Sequence, residues 1–239
     1  ISYNLPKKRT PMQQTRYQRI ESVLSRRQTD LTVCLEDVHK HHNLSAIVRT
    51  ADAVGCHHVH AVWPEKQKWL TNNTSGGSKN WLDTHLHRNI DDAAASIRAH
   101  NPDVQILATH LSEDAVDFRE IDYTKPTAII VGQEKTGISE KALEYADQNI
   151  IIPMQGMVQS LNVSVAAALI LFEAQRQREL AGLYNRNMLS EEIKHPMYFE
   201  GCHPIIARQC KQKNLPYPAL DEHGEIVADE QFWQALKHT

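Results

Sequence analysis

Apolar positions fall into short β-branched runs separated by longer stretches of helical spacing. Residues 31–35 (LTVCL), 59–63, 104–109 (VQILAT) and 127–131 (TAIIV) read as strands, with a shorter one at 84–87. Residues 39–55 predict a loop and then a helix, with Asn43 as cap candidate, Ala46, Ile47, Thr50, Ala51 and Val54 as the apolar face, and Gly55 as the stop. Residues 90–100 predict a further helix. Ile150, Ile151 and Ile152 run into Pro153, which has no amide to give a ladder, so a strand ends there. After a polar loop at 154–159, Ser160 and Asn162 offer side chains that accept the free amides of a helix start. The helix beyond carries Val165, Leu169 and Phe172 on one stripe, with Ala166, Ala167 and Ala168 close by and a charged tail at 173–178. Strands alternating with helices predict an α/β fold with a mainly parallel sheet covered on both faces. In such a sheet a small ligand binds beyond the carboxyl ends of the strands, and the strand, loop and capped helix at 149–177 form the obvious place.

The ends of the chain differ from this middle. Tyr17, Ile20 and Leu24 give the N-terminal segment a helical apolar stripe that can dock on the body while its arginines face outward. Beyond 177 the pattern breaks into short helical pieces with six aromatics and a basic run, Arg208, Lys211 and Lys213. The expected organisation is a basic N-terminal helical extension (1–30), a central α/β domain (31–180) and a C-terminal extension (181–239) for RNA binding or dimer packing.

Charge sharpens the picture. The 239 residues carry a net charge of −3, but seven basic residues against Glu21 alone give +6 to the first 28, leaving −9 for the rest. A basic arm on an acidic body predicts a local polyanion contact. Its candidates are Arg9, Arg16, Arg19, Arg26 and Arg27, with Lys211 from the C-terminal run. The four cysteines show no paired spacing and fit packed thiols in a reduced compartment. No apolar run approaches the ~20 residues of a membrane span, so a cytoplasmic protein without a membrane partner is expected. The start at Ile1, not methionine, leads us to expect residues upstream. The fourteen histidines alternate or cluster on loops instead of converging, so no metal is expected, and only His41 and His42 lie near enough to Asn43 to matter.

Gly132-Gln-Glu134-Lys-Thr-Gly137 follows a strand, as a phosphate loop would, yet Ile138 occupies the place of the lysine such a loop needs. No G-x-G-x-x-G occurs either, which leaves nicotinamide or flavin binding without support.

Three stretches, NLSAIVRTAD from Asn43, GQEKTG from Gly132 and IIIPMQGMVQSLNVSVAAAL from Ile150, resemble the three signature motifs of the TrmH/SpoU family of RNA 2′-O-ribose methyltransferases in the SPOUT superfamily. Ser45 departs from the first motif, where glycine is usual. The resemblance spans roughly 31–180. It implies a SPOUT fold with a deep trefoil knot around the second and third motifs, S-adenosyl-L-methionine (the methyl donor) held in that knot, and a homodimer whose active site draws on both subunits. By position, Thr109, Leu111, Gly132, Ile152, Met154 and Leu161 are expected to bind the cofactor, and Asn43, Arg49, Glu134, Ser160 and Asn162 to form the catalytic set.

The implied reaction is attack of a ribose 2′-hydroxyl on the cofactor's methyl group, with no metal. Family accounts make the arginine at Arg49 the base. A guanidinium holds its proton above pH ~12, so a phosphate and hydroxyl clamp that stabilises the developing alkoxide fits better. The short basic helix and the C-terminal extension resemble the tRNA branch, which methylates guanosine 18 of the D-loop. Another tRNA or rRNA nucleotide, or a non-catalytic RNA-binding module on the same fold, remains the alternative.

Overall fold

The computed structural model describes residues 15–63, 77–133 and 136–237, the side chain of Lys79 excepted. Arg9, Glu134 and most of residues 69–81, whose Asn-, Ser-, Thr- and Gly-rich sequence predicts a loop, lie outside them. The chain divides into two compact units, residues 26–188 and the described parts of 1–25 with 189–239.

The larger unit is built on seven parallel strands: β1 (Leu31–Glu36), β2 (His58–Val62), β3 (Asp83–His87), β4 (Gln105–Thr109), β5 (Val116–Asp117), β6 (Thr127–Val131) and β7 (Gln148–Ile151). Their order is β3-β2-β1-β6-β4-β7-β5. Helices α2 (His41–Ala53) and α5 (Val163–Leu180) cover one face; α3 (Ile90–His100) and α4 (Glu140–Leu143) cover the other. Because alternate residues of a strand point to opposite faces, Val33 and Leu35 of β1, Leu107 of β4 and Ile129 and Val131 of β6 join the α2/α5 core. Cys34, Ile106, Ala108, Ala128 and Ile130 join the α3/α4 core. Burial on both faces explains why these strands read as continuous apolar runs. The short β5 and the single turn of α4 carried no periodicity that sequence could register.

Three expectations are corrected here. Helix α2 begins at His41, so Asn43 is a buried residue of its first turn instead of its cap. The inner face of α2 is Leu44, Ile47, Val48 and Ala51. Val165, Leu169 and Phe172 do share a stripe of α5, but it is the outward one, at 47, 43 and 50% exposure, while Val163, Ala167, Ile170, Leu171 and Ala174 pack inward. An apolar helix on both sides offers no period from which to choose its inner face.

Arg27 is the third correction. It is fully buried, bonded to Asp52 (2.5 Å) and to the Cys56 carbonyl (2.8 Å), so it is unavailable to RNA. Arg26, its neighbour, is exposed. A second buried guanidinium closes the same region: Arg178 of α5 pairs with Asp30 and donates to Gln28 and to the carbonyls of Tyr123, Asp30 and Lys125. Cys34 and Cys56 are free and fully enclosed, and burial pushes their thiols up to about 12. No helix among the described residues is long and apolar enough to cross a membrane.

In the smaller unit, α1 (Arg16–Leu24) opens with a capping box in which Thr15 and Gln18 bond each other's backbone amides. It buries Ile20 and Leu24, while Tyr17 lies beside Tyr198 of α6 (Glu191–Cys202), ring centroids 5.2 Å apart. Arg16 and Arg19 are exposed on this helix, and Arg16 donates to the Gly201 carbonyl. Phe199, Ala207 and Cys210 form a small core between α6 and α7 (Pro204–Lys213). Lys211 is exposed and pairs with Glu200 at 2.8 Å.

Candidate active site

β4, β6 and β7 end side by side, and the three loops that leave them enclose a cavity of about 730 Å³. Thr109 closes β4, its hydroxyl donating to the Ile130 carbonyl (3.2 Å), and His110 and Leu111 follow along the wall. Gly132 leaves β6. A Cβ at this position would lie 2.2 Å from the Gly137 carbonyl oxygen and 2.6 Å from the Ile138 nitrogen, so no other residue fits without moving the loop. The loop returns on itself through paired backbone bonds between Gln133 and Gly137 (3.0 and 2.9 Å). Gly137 takes φ +71°, the left-handed region that suits glycine.

The return is pinned from β1. Buried Glu36 accepts from the amide and hydroxyl of Ser139 (2.8 and 2.6 Å), and Ser139 in turn caps α4. Sequence reasoning passed over Glu36, because its partner lies 103 residues away.

Ile152, Pro153 and Met154 continue β7 into the cavity wall, with Ser160 and Leu161 at the far end of the loop. All six expected cofactor residues, Thr109, Leu111, Gly132, Ile152, Met154 and Leu161, therefore line one cavity, as does Ser160. Its lining holds no Asp, Glu, Lys or Arg among the described residues.

Asn162 caps α5 as expected. Its side-chain oxygen accepts from the Ser164 amide (2.8 Å) and hydroxyl (2.6 Å), leaving its amide nitrogen to donate to the Asn43 oxygen at 3.1 Å. That bond joins α2 to the start of α5 beside a second, smaller cavity of about 200 Å³, lined by Asp37, Val38, His39, Lys40, Asn43, Gln133 and Val163. Asp37 enters it with a left-handed backbone, φ 54°; such outliers collect at functional sites. His41 and His42 are exposed on α2, and it is His39 that reaches a cavity wall. Gln133 and Val163 line both cavities, and neither was singled out from sequence.

Arg49 stands apart. It is exposed on α2 and lines neither cavity. Six residues after Asn43 on a helix, it leaves by a different face.

Asn162→Ala is expected to cost about 1 kcal/mol of stability in chemical denaturation, the usual worth of a helix cap. Asn162→Asp keeps the cap acceptor but sets a carboxylate oxygen against the Asn43 oxygen, so it should recover only part of that loss.

Residues 30–172 match the SpoU rRNA Methylase family and 176–229 the C-terminal region of SpoU rRNA methylases. A tRNA (guanosine(18)-2′-O)-methyltransferase of Escherichia coli K12 is 57% identical over 228 residues, covering 95% of this chain and 99% of that protein. A crystal structure of the Aquifex aeolicus TrmH/SpoU tRNA modifying enzyme superposes with a TM-score of 0.71 at 43% identity, covering 80% of this chain and 96% of that one. An AdoMet-bound rRNA methyltransferase from Sinorhizobium meliloti aligns with a TM-score of 0.56 at 32% identity, over 64% of this chain and 59% of that one. The parallel sheet, the three loops around its carboxyl edge and these matches agree: the chain belongs to the SpoU rRNA methylase family.

Proposed function

We propose that this protein transfers a methyl group from S-adenosylmethionine to the ribose 2′-hydroxyl of guanosine 18 in the tRNA D-loop. What supports the reading is the convergence of 109–111, of Gly132, Gln133 and Gly137, and of 152–154 with 156–161 on one cavity, in a chain 57% identical to a tRNA (guanosine(18)-2′-O)-methyltransferase. The cavity suits the cofactor. Its size falls within the roughly 300–1,000 Å³ of small-molecule sites, and Gly132 lets the loop that walls it close on its own backbone at Gly137 and Ile138.

Bound there, S-adenosylmethionine supplies a methyl group made electrophilic by its sulfonium. Thr109, Leu111, Gly132, Ile152, Met154 and Leu161 hold it, largely through backbone groups. Asn43, Ser160 and Asn162, with Glu134, orient the target hydroxyl, and the Asn43–Asn162 bond fixes two of these side chains before substrate arrives. Arg49 keeps its proton, clamps the neighbouring phosphate and stabilises the alkoxide as the hydroxyl's proton passes to solvent. Exposed Arg16, Arg19, Arg26 and Lys211, with Arg9, supply cations for the RNA backbone, while loop bases of the tRNA provide the specific contacts.

The working unit is a homodimer in the cytoplasm, with the chain around the second and third motifs threaded into a trefoil knot. Two observations support the dimer: Arg49 lines neither cavity of its own chain, and Val165, Leu169 and Phe172 present an apolar stripe outward on the helix that also walls the cofactor cavity. Phe172→Glu places a charge in that stripe. It is expected to shift the protein from dimer to monomer in light scattering and to abolish methyl transfer with it; a dimer of unchanged stability would remove α5 from the interface.

The direct experiment is incubation with S-adenosylmethionine and an unmodified tRNA transcript, followed by mass spectrometry of nuclease fragments. One 2′-O-methylguanosine at position 18 is expected. A methyl group on a base, or on another ribose, would overturn the assignment.

A further inference from the structure

On the α3/α4 face, the apolar rule kept by β1, β4 and β6 breaks at the edge of the sheet. Alternation puts His58 and His60 of β2 on this face and Asp83, His85 and His87 of β3 beside them, with His58 opposite Asp83 and His60 opposite His85. His100, the last residue of α3, lies over them, its ring centroid 4.7 Å from that of His58 and 4.9 Å from that of His85. His58, Asp83 and His100 belong to the amino-terminal ends of the strands and the carboxyl end of α3, whereas the cofactor cavity lies at the strands' carboxyl ends.

The three closest atoms form a triangle. His58 Nδ1 and His85 Nε2 are 3.1 Å apart, and Asp83 Oδ2 lies 3.4 Å from the first and 3.1 Å from the second. Protons alone cannot satisfy all three sides. If only one imidazole nitrogen carries hydrogen, the other faces the carboxylate lone pair to lone pair. If both carry hydrogen, two N–H groups confront each other at 3.1 Å. A cation inside the triangle turns every side into two ligands sharing one centre. Tetrahedral zinc with nitrogen and oxygen ligands at about 2.0–2.1 Å sets neighbouring ligand atoms about 3.3 Å apart.

His100 completes the set. One ring nitrogen from each of His58, His85 and His100 lies within 4.8 Å of the other two. Its Nδ1 is 2.7 Å from the Ser96 carbonyl, which can only accept, so the proton sits on Nδ1 and Nε2 keeps its lone pair. Metal-binding histidines are commonly oriented by such a second acceptor. Asp83 is half exposed, which leaves a route of entry for the ion.

We propose that His58, Asp83, His85 and His100 form a binding site for one divalent transition-metal ion, zinc by ligand type, that ties edge strand β3 to β2 and α3. The donor set of imidazoles and one carboxylate, without thiolate, suits Zn²⁺ and excludes Ca²⁺ or Mg²⁺ as the preferred ion. The site is structural and does not touch the methyl-transfer cavity.

The test uses the full-length, untagged chain, stripped with chelator and dialysed. Titration with Zn²⁺ followed by calorimetry and elemental analysis is expected to show one ion per chain and a rise in melting temperature that chelator reverses. Asp83→Asn, which keeps the volume of the side chain, and His85→Ala are each expected to weaken binding at least tenfold, whereas His195→Ala, at a histidine bonded to the Pro218 carbonyl, leaves it unchanged. Absence of saturable binding in the wild-type chain, or binding undiminished in Asp83→Asn and His85→Ala, would overturn the proposal.

Discussion

Arg178→Ala is expected to destabilise the protein by about 3–5 kcal/mol, the range for removing one partner of a buried ion pair. Arg178 is fully enclosed and Asp30 is 8% exposed, so the carboxylate left behind has little access to water and keeps only Arg186, 3.8 Å from its other oxygen. The loss does not stop at the pair. The carbonyls of Tyr123, Asp30 and Lys125 each lose a guanidinium donor, from contacts of 2.9, 3.1 and 2.9 Å. At roughly 2–4 °C per kcal/mol for a chain of this size, the melting temperature should fall by about 6–20 °C. Arg178→Met with Asp30→Asn separates the effects, because it removes both charges and restores apolar volume; it should recover part of the loss. A single mutant within 1 °C of wild type would mean that Asp30 finds water or another cation.

Arg49→Ala is expected to lower kcat for methyl transfer on the order of 10²–10³-fold, the usual cost of removing a group that stabilises developing negative charge. Folding should be nearly untouched, within about 0.5 kcal/mol, since the side chain is exposed on α2. Arg49→Lys should restore little, because an ammonium is a point charge and cannot fork between phosphate and hydroxyl. Calorimetric affinity for S-adenosylmethionine should not change, as Arg49 does not line the cavity. An equal loss of cofactor affinity would instead make Arg49 part of the binding wall.

Local chemistry made much of the cavity legible in advance. Ile152 before Pro153, Gly132 after an apolar run, and Asn162 ahead of a helix each state their geometry within a few residues, and all three line or border the site. What sequence hid depends on partners far along the chain. Arg27 read as an outward cation because nothing near it reveals Asp52 and the Cys56 carbonyl, 25 and 29 residues away. Asn43 read as a cap because polar residues at helix starts usually are, whereas its partner is Asn162, 119 residues later. Val165, Leu169 and Phe172 showed the right period on the wrong side, since the first half of α5, up to residue 172, is apolar on both sides. The histidines of β2 alternate visibly, but their convergence needed the register with β3 and the end of α3.

The central claim, methyl transfer to the ribose of one tRNA nucleotide, is tested most directly by the initial rate of labelled-methyl transfer from S-adenosylmethionine to an unmodified tRNA transcript. The same assay is run on a transcript substituted at guanosine 18. Incorporation of one methyl group per intact transcript and none in the substituted one is the predicted result. Equal incorporation in both would keep the methyltransferase and refute the nucleotide, and no incorporation into any RNA would contradict the account as a whole.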